Sequence, residues 1–280
     1  MSRVRTGPVL GLTAQTVLLA GLAATVGLDV AGWLAGLGYG VVTCVALQRG
    51  LRHRGVDRLG PADRVTLTRG VLVGGVTALV VTGFSGPTPL SVLVPMTAVA
   101  LALDAVDGWV ARRTGTASAL GARFDMEVDA FLILVLSVQV TPVVGPWVLA
   151  IGGLRYAFVV AGWLLPWMRG TLPPRFWRKV VAATQGVLLL VVAADVLARP
   201  VTAVLAAVAL ALLVESFGHD VGWLWWHRST RPARVAAPTP VAALPGVAPL
   251  PAVAALPSVP SVRPRVDSIT DRSFVAHQPV

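Results

Sequence analysis

The sequence has few charged residues: only 13% of its 280 residues are Asp, Glu, Lys or Arg, whereas 55% are hydrophobic. This charged fraction is about half that of an average soluble domain, which excludes a soluble globular protein. Strand-like alternation of polar and apolar residues is also missing, and this excludes an outer-membrane β-barrel. The single cysteine, Cys44, permits no internal disulfide bond and is interpreted as a small core residue.

Eight apolar runs occupy most of the first 226 residues. Most of them are long enough to cross the hydrocarbon core of a bilayer, which takes about 20 helical residues. The sequence therefore predicts an all-α integral membrane protein with eight transmembrane helices, a core of six and an N-terminal hairpin. The runs cover residues 9–28, 30–48, 65–83, 90–110, 124–141, 143–166, 180–198 and 201–226.

The distribution of basic residues predicts the topology. A net charge of +10 could suggest a nucleic-acid partner, but the 23 Lys and Arg residues lie mostly before the first run and after the even-numbered runs. By the positive-inside rule, we expect both termini and the even-numbered connections in the cytoplasm, and the protein in the cell membrane. No nucleic-acid partner is expected.

Composition divides the chain into three parts. Residues 1–58 are interpreted as a retained transmembrane hairpin with a basic cytoplasmic loop, and residues 59–228 as the main membrane domain. In residues 229–280 proline recurs too often for a helix or a central strand. This last part is predicted to be a disordered cytoplasmic tail.

Five of the 13 acidic residues lie between Asp104 and Asp129, at the ends of the fourth and fifth runs. Such a concentration beside a membrane is costly unless a cation lies among the carboxylates. Asp104 and Asp107 share one helix face, and Asp125 and Asp129 share a face of the next helix. The sequence therefore predicts an all-oxygen site that suits Mg²⁺ or Mn²⁺ and binds a pyrophosphate through the metal. Zinc is not expected, because Cys and His are missing nearby.

Gly108 and Gly121 lie on the same two helix faces. Each costs about 1 kcal/mol in a helix interior relative to Ala. We interpret the missing side chains as a slot for a nucleotide base or ribose, with Arg112 placed to meet a phosphate or base oxygen. Close helix packing through glycine is the alternative.

The pattern D-x-x-D-G-x-x-A-R, followed after eight residues by G-x-x-x-D-x-x-x-D, runs unbroken from Asp104 to Asp129. It resembles the signature of the CDP-alcohol phosphotransferases. Members of that family are integral membrane enzymes that use two divalent cations to transfer a substituted phosphoryl group from a CDP-linked donor to an alcohol, releasing CMP. The resemblance extends more weakly over residues 61–226 and implies a six-helix core preceded by an interfacial segment.

The resemblance also implies roles for the four aspartates. Asp104 and Asp125 would bridge two Mg²⁺ ions, or Mn²⁺ in their place, while Asp107 completes the first metal site and Asp129 belongs to the second. Asp129 would also be the general base. The chemistry supports this last role independently, since a metal-bound hydroxyl loses its proton to a nearby carboxylate more readily.

The donor contacts follow from the same resemblance. The stretch that contains Asp63 and Thr66 resembles the start of the family's core, where Asn is more usual than Asp63. Binding of the CDP donor is expected of Gly108, Arg112, Ser118, Gly121, Asp63 and Thr66.

Two basic residues are candidates for acceptor binding. Arg155 lies inside an apolar run, and an intramembrane arginine is by default a functional candidate. The family often has Arg-Glu here, whereas this chain has Tyr156 as the second residue. Lys179, the only lysine, occupies the first lysine of a Gly-Lys-x-Lys-Thr-like element. As alternatives, Arg155 pairs with Glu215 and Lys179 merely follows the positive-inside rule.

Other ionisable residues receive weaker interpretations. Glu215 and His219, four residues apart, suggest a second metal site, but two ligands without a third are weak evidence and the lining of an acceptor cavity is favoured. Glu127 points away from the face of Asp125 and Asp129, so we expect it to be solvated or ion-paired.

Three functional hypotheses remain at this stage. The primary one is transfer of a phosphatidyl group from CDP-diacylglycerol to a polar alcohol, with a phosphate-bearing alcohol as one option. The second reverses the roles, with a soluble CDP-alcohol donor and a lipid alcohol acceptor. The third is a catalytically silent membrane scaffold or transporter, which the loss of any motif aspartate would favour; all four are present. A homodimer is compatible with the sequence.

Overall fold

The computed structural model describes residues 6–54, 61–114, 119–170, 172–173 and 175–228. Within these residues the fold is entirely helical, without a β-strand, which confirms the predicted class. Short 3-10 segments at Pro146–Val148 and Pro166–Arg169 flank the sixth helix. The helices are α1 (Thr6–Thr25), α2 (Val30–Arg54), α3 (Pro61–Thr82), α4 (Leu90–Thr114), α5 (Ala119–Val144), α6 (Leu149–Leu164), α7 (Phe176–Ala193) and α8 (Arg199–Trp226).

Seven of these helices, α2 to α8, are long and apolar enough to cross a membrane, so this is a multi-pass membrane protein. The apolar part of α1, Val9–Thr25, is shorter than these spans. The described residues therefore contain seven clear spans and one shorter apolar helix where eight spans were predicted. The predicted tail, residues 229–280, lies outside the described residues, and the chain from Pro61 to Thr82 forms one helix.

Helix α3 holds the two halves of the bundle together. It packs against α1, α2, α4 and α5, and it is the most buried of the seven spans. Val73, Val76 and Leu79 of this helix are fully buried. Because lipid tails are as apolar as these side chains, close packing rather than escape from water stabilises such contacts. The first turns of α3 are thereby placed beside the end of α4 and the start of α5.

The α1–α2 hairpin packs onto α3 through glycine. A Cβ atom added at Gly36 would lie 2.8 Å from the Leu19 side chain and 3.1 Å from the Gly74 carbonyl oxygen. Small residues at such positions let helix backbones approach closely in membranes. The hairpin is consequently in direct contact with α3 rather than separated from it by side chains.

Hydrogen bonds to Asp29 connect the turn before α2 with the end of α3. Its carboxylate accepts hydrogen bonds from the Gly32 amide (2.6 Å), the Thr82 hydroxyl (3.0 Å) and the Ser85 hydroxyl (2.9 Å). The Gly32 bond caps the first turn of α2, as Asp typically does at a helix N-terminus. These hydrogen bonds, that of the Gly32 amide foremost, lower the pKa of Asp29 below its ordinary value.

Helix α5 organises the second half of the bundle, where it packs against α6, α7 and α8 as well as α3. At Gly152 of α6, an added Cβ would clash with the backbone of Leu134 in α5. The α5–α6 contact is therefore as close as backbone atoms allow. Since α5 touches most of the bundle, polar groups near its start can be reached from several helices.

Candidate metal and nucleotide site

Three of the motif aspartates converge at one end of the bundle. Asp104 and Asp107 come from the last turns of α4, and Asp125 comes from the start of α5. Each offers a carboxylate oxygen, and these oxygens lie within 4.8 Å of one another. Among the described residues this is the only group of three or more His, Cys, Asp or Glu with such spacing.

Arg69 of α3 lies among the aspartates, with its side chain fully buried. Its Nη1 donates to the Asp104 carboxylate and its Nη2 donates to the Asp125 carboxylate. Nη1 also lies 3.3 Å from Asp107, and Nη2 lies 3.2 Å from Asp129. One guanidinium thus contacts all four aspartates, and Asp129 joins the site through Arg69.

Arg69 was not among the candidate residues predicted from the sequence. A signal was present, because Arg69 lies inside the third apolar run and an intramembrane arginine is a functional candidate by default. Its spacing of three from Thr66 also places both residues on one helix face. The rule that selected Arg155 would have selected Arg69 as well.

The charge balance of the site favours a divalent cation. Four carboxylates face a single guanidinium, so three negative charges remain when all of these groups are ionised. Carboxylate oxygens are the donors that Mg²⁺ and Mn²⁺ prefer. The residues therefore fit a hard divalent metal ion.

Thr66 supports Asp107 from α3. Its buried hydroxyl donates a 3.0 Å hydrogen bond to Oδ2 of Asp107. Hydrogen bonds to an ionised carboxylate are stronger than bonds between neutral groups. Thr66 therefore fixes the orientation of this aspartate.

The remaining candidates for donor binding are placed as follows. Asp63 lies one turn before Thr66 on α3, Gly108 follows Asp107 on α4, and Gly121 lies in the first turn of α5. Arg112 belongs to the last turns of α4, but its side chain lies outside the described part of the structure, as does Ser118. The slot beside Gly108 and Gly121 stays a prediction.

Arg155 pairs with Glu127 rather than with Glu215. Its Nη2 lies 2.7 Å from Oε1 of Glu127, whereas Glu215 accepts a 2.7 Å hydrogen bond from Nε1 of Trp177. The alternative pairing of Arg155 with Glu215 is wrong because α6 packs mainly against α5, which brings Arg155 to the face of α5 that bears Glu127. That face is turned away from Asp125 and Asp129, as expected for Glu127.

Further polar groups lie on α7 and α8. Lys179 is exposed on α7. Asp220 of α8 is buried and lies 3.4 Å from Arg178. Glu215 and His219 belong to no three-ligand cluster in the described chain, which gives the suggested second metal site no support.

The segment that contains this cluster matches a known protein family. The family model described as CDP-alcohol phosphatidyltransferase matches residues 60–215, more than half of the chain. The matched segment begins just before α3 and contains Arg69, Thr66 and the four aspartates. No curated protein and no solved structure shows a significant match to the chain.

Proposed function

Because the chain belongs to the CDP-alcohol phosphatidyltransferase family, we propose that it transfers a phosphatidyl group from CDP-diacylglycerol to a polar alcohol at the aspartate cluster. The observation that carries this proposal is the convergence of Asp104, Asp107 and Asp125, with Arg69 contacting these three and Asp129. An all-carboxylate cluster with excess negative charge suits divalent metal ions, which in turn would bind the pyrophosphate of a CDP-linked donor.

In this proposal the metals are held by the motif aspartates. Two Mg²⁺ ions would be held by Asp104, Asp107, Asp125 and Asp129, with Asp104 and Asp125 serving both ions, Asp107 the first and Asp129 the second. Bound cations would neutralise the donor's pyrophosphate and make the acceptor hydroxyl a better proton donor. Thr66 and Arg69 hold the carboxylates in place, while Asp63, Gly108, Arg112, Ser118 and Gly121 are proposed to contact the CDP part of the donor.

The chemical step is a substitution at phosphorus. The acceptor hydroxyl oxygen attacks the β-phosphorus of the donor and forms the new P–O bond. The bond from that phosphorus to the oxygen shared with the α-phosphate breaks, and CMP leaves with its electron pair. Asp129 takes the proton of the acceptor hydroxyl as general base.

The acceptor is proposed to bind on the side of the cluster nearer α6 and α7. Arg155 and Lys179 are the basic residues there that could recognise a phosphate-bearing alcohol. Arg155 is already paired with Glu127 at 2.7 Å. A phosphate would therefore compete with Glu127 for the guanidinium, or bind to its remaining N–H groups.

The topology belongs to the same proposal. We place both termini and the aspartate cluster on the cytoplasmic side of the cell membrane, because basic residues concentrate in the connections at that end. Cys44 is the only cysteine, so Cys44→Ser gives a cysteine-free background. A cysteine introduced at Arg113 should react with an impermeant maleimide only from the cytoplasmic side, and reaction from the opposite side would reverse the assignment.

A panel of labelled donors tests the proposed reaction. The purified protein in proteoliposomes should release labelled CMP from cytidine-labelled CDP-diacylglycerol only when Mg²⁺ and a suitable alcohol are added. Turnover with a soluble CDP-alcohol and diacylglycerol instead would favour the reversed roles. Failure to turn over either donor class with any acceptor would favour the catalytically silent scaffold or transporter.

A further inference from the structure

A large groove lies between the N-terminal hairpin and the α3–α8 core. Its volume is about 640 Å³, and its walls are formed by α2 on one side and by α5 and α6 on the other, with Thr77 of α3 at the back. Helix α2 packs along α3 but barely touches α5. The groove exists because α2 and α5 are separated. Since α2 precedes residues 60–215, one wall of the groove lies outside the family-matched segment.

The lining of the groove is predominantly apolar. Val42 and Ala46 line it from α2, while Phe124 and Phe131 line it from α5. The hydroxyl of Thr77 donates a 2.7 Å hydrogen bond to the Val73 carbonyl oxygen, so it offers no free donor to the groove. A volume of this size accommodates a medium-sized organic ligand, and within membrane-spanning helices an apolar groove is filled by hydrocarbon rather than water.

The groove is distinct from the aspartate cluster. Among the described residues, its lining includes neither Arg69 nor any of the four motif aspartates. Tyr39 of α2 lines the groove, and its ring stacks there on Phe131 at a centroid distance of 4.6 Å. Its hydroxyl points to α3, where it would lie 4.0 Å from a Cβ added at Gly70. The groove and the predicted metal ligands are therefore lined by different residues.

Ionisable side chains lie at one end of the groove. Arg123, in the second turn of α5, is exposed and lines the groove together with Glu127. Glu127 is already paired with Arg155 at 2.7 Å, so these three groups carry a net charge of +1. Basic pockets between transmembrane helices bind the head groups of anionic lipids.

From these features we propose that the groove is a binding site for an anionic phospholipid, with one acyl chain between α2 and α5 and its phosphate against Arg123. The lipid stabilises the contact of the hairpin with the core, since it fills the space that α2 and α5 leave between them. The occupant is a membrane lipid that is not consumed, so the proposal does not require the proposed transfer reaction to be correct.

Filling the groove tests the acyl-chain part of the proposal. Ala46→Trp places a large side chain in the groove from an exposed position on α2, whereas Ala31→Trp makes the same substitution at an exposed position of α2 outside it. Detergent-purified protein is titrated with dioleoylphosphatidylglycerol and examined by native mass spectrometry. We expect Ala46→Trp to bind one phosphatidylglycerol fewer than both the wild type and Ala31→Trp.

Removing the charge of Arg123 tests the head-group part of the proposal. This test does not require the fold to accept a tryptophan in the groove. Arg123→Gln should weaken the tightest phosphatidylglycerol binding about fivefold, as expected for one basic residue near a lipid surface. Binding of dioleoylphosphatidylcholine should stay unchanged. Equal binding of both lipids to the wild type, or phosphatidylglycerol binding that Arg123→Gln leaves intact, would overturn the proposal.

The same experiment separates other occupants of the groove. If a second copy of the chain covers it, Ala46→Trp will convert a dimer into a monomer in the mass spectrum without loss of a bound lipid. If the groove is instead the donor site, Ala46→Trp will weaken the tightest binding of CDP-diacylglycerol together with that of phosphatidylglycerol. Either result contradicts the proposal, and neither depends on whether the transfer reaction is correct.

Discussion

Arg69 donates through Nη2 both to the Asp125 carboxylate and, at 3.3 Å, to the main-chain carbonyl oxygen of the same residue. This double contact fixes the start of α5 to α3. Because Nη1 of the same guanidinium contacts Asp104 of α4, one side chain of α3 is joined to both helices that form the aspartate cluster. Arg69 is therefore both a structural link and the fixed cation of the site.

Removing Arg69 should destabilise the protein most when divalent cations are absent. Arg69→Met leaves closely spaced carboxylates without a fixed counter-charge, and breaking a buried ion pair costs about 3 kcal/mol or more. Thermal unfolding in detergent should show a large fall in Tm in EDTA and a smaller one in Mg²⁺. Arg64→Met, at an exposed position of the same helix, serves as the control, and equal falls for both variants would refute the counter-charge role.

Asp129 is predicted to act on the proton of the acceptor. Asp129→Asn should lower the turnover rate about a hundredfold or more, as is typical for lost general-base catalysis, while donor binding weakens much less. Single-turnover rates and equilibrium binding of labelled CDP-diacylglycerol measure the two effects separately. A parallel loss of binding and rate would assign Asp129 a metal-holding role alone.

The ion pair of Arg155 with Glu127 gives a matched test of acceptor recognition. If Arg155 binds a phosphate-bearing acceptor, Arg155→Ala should raise the acceptor's KM about tenfold or more and leave that of the CDP donor nearly unchanged, because a charge-assisted hydrogen bond is lost. Glu127→Gln should not raise the acceptor's KM, since it keeps the guanidinium. If both variants behave alike, the pair is structural and the phosphate-bearing class loses its main support.

Asp29 is expected to make stability pH-dependent in the acid range. Hydrogen bonds lower the pKa of Asp29 in the folded state. Its contribution to the free energy of unfolding is therefore present above the unfolded pKa of about 3.9 and is lost as the pH falls towards the folded pKa. Urea unfolding of detergent-solubilised protein between about pH 5 and pH 3 should therefore show a steeper loss of stability for the wild type than for Asp29→Asn. If stability falls with pH equally in the two proteins, Asp29 is not the source of the acid sensitivity.

The sequence predicted those features that depend on one helix at a time. The apolar runs predicted the helices because lipid leaves the backbone no alternative to internal hydrogen bonding. The spacing of Asp104 with Asp107, and of Asp125 with Asp129, predicted shared faces because helical periodicity is local. The convergence of three of these aspartates followed from the short connection between α4 and α5.

Contacts between helices that are distant in the chain could not be predicted from helical periodicity. Arg69 reaches Asp125 across 56 residues of chain, and periodicity gives the face of a helix without the helix that it meets. For the same reason Arg155 was paired with Glu215 as one alternative, whereas the neighbouring helix supplies Glu127. The groove beside α2 depends on the distance between α2 and α5, which no sequence pattern encodes.

The most direct test of the account is release of labelled CMP from CDP-diacylglycerol by the wild type, Asp104→Asn and Asp195→Asn in proteoliposomes. Asp104 is a predicted bridging ligand, while Asp195 lies in the exposed turn after α7 and controls for loss of an acidic residue. We predict full activity for Asp195→Asn, none for Asp104→Asn, and loss in EDTA that Mg²⁺ reverses. Substantial acceptor-dependent CMP release by correctly folded Asp104→Asn, or by the wild type in EDTA, would contradict the metal-dependent transfer proposed for the aspartate cluster.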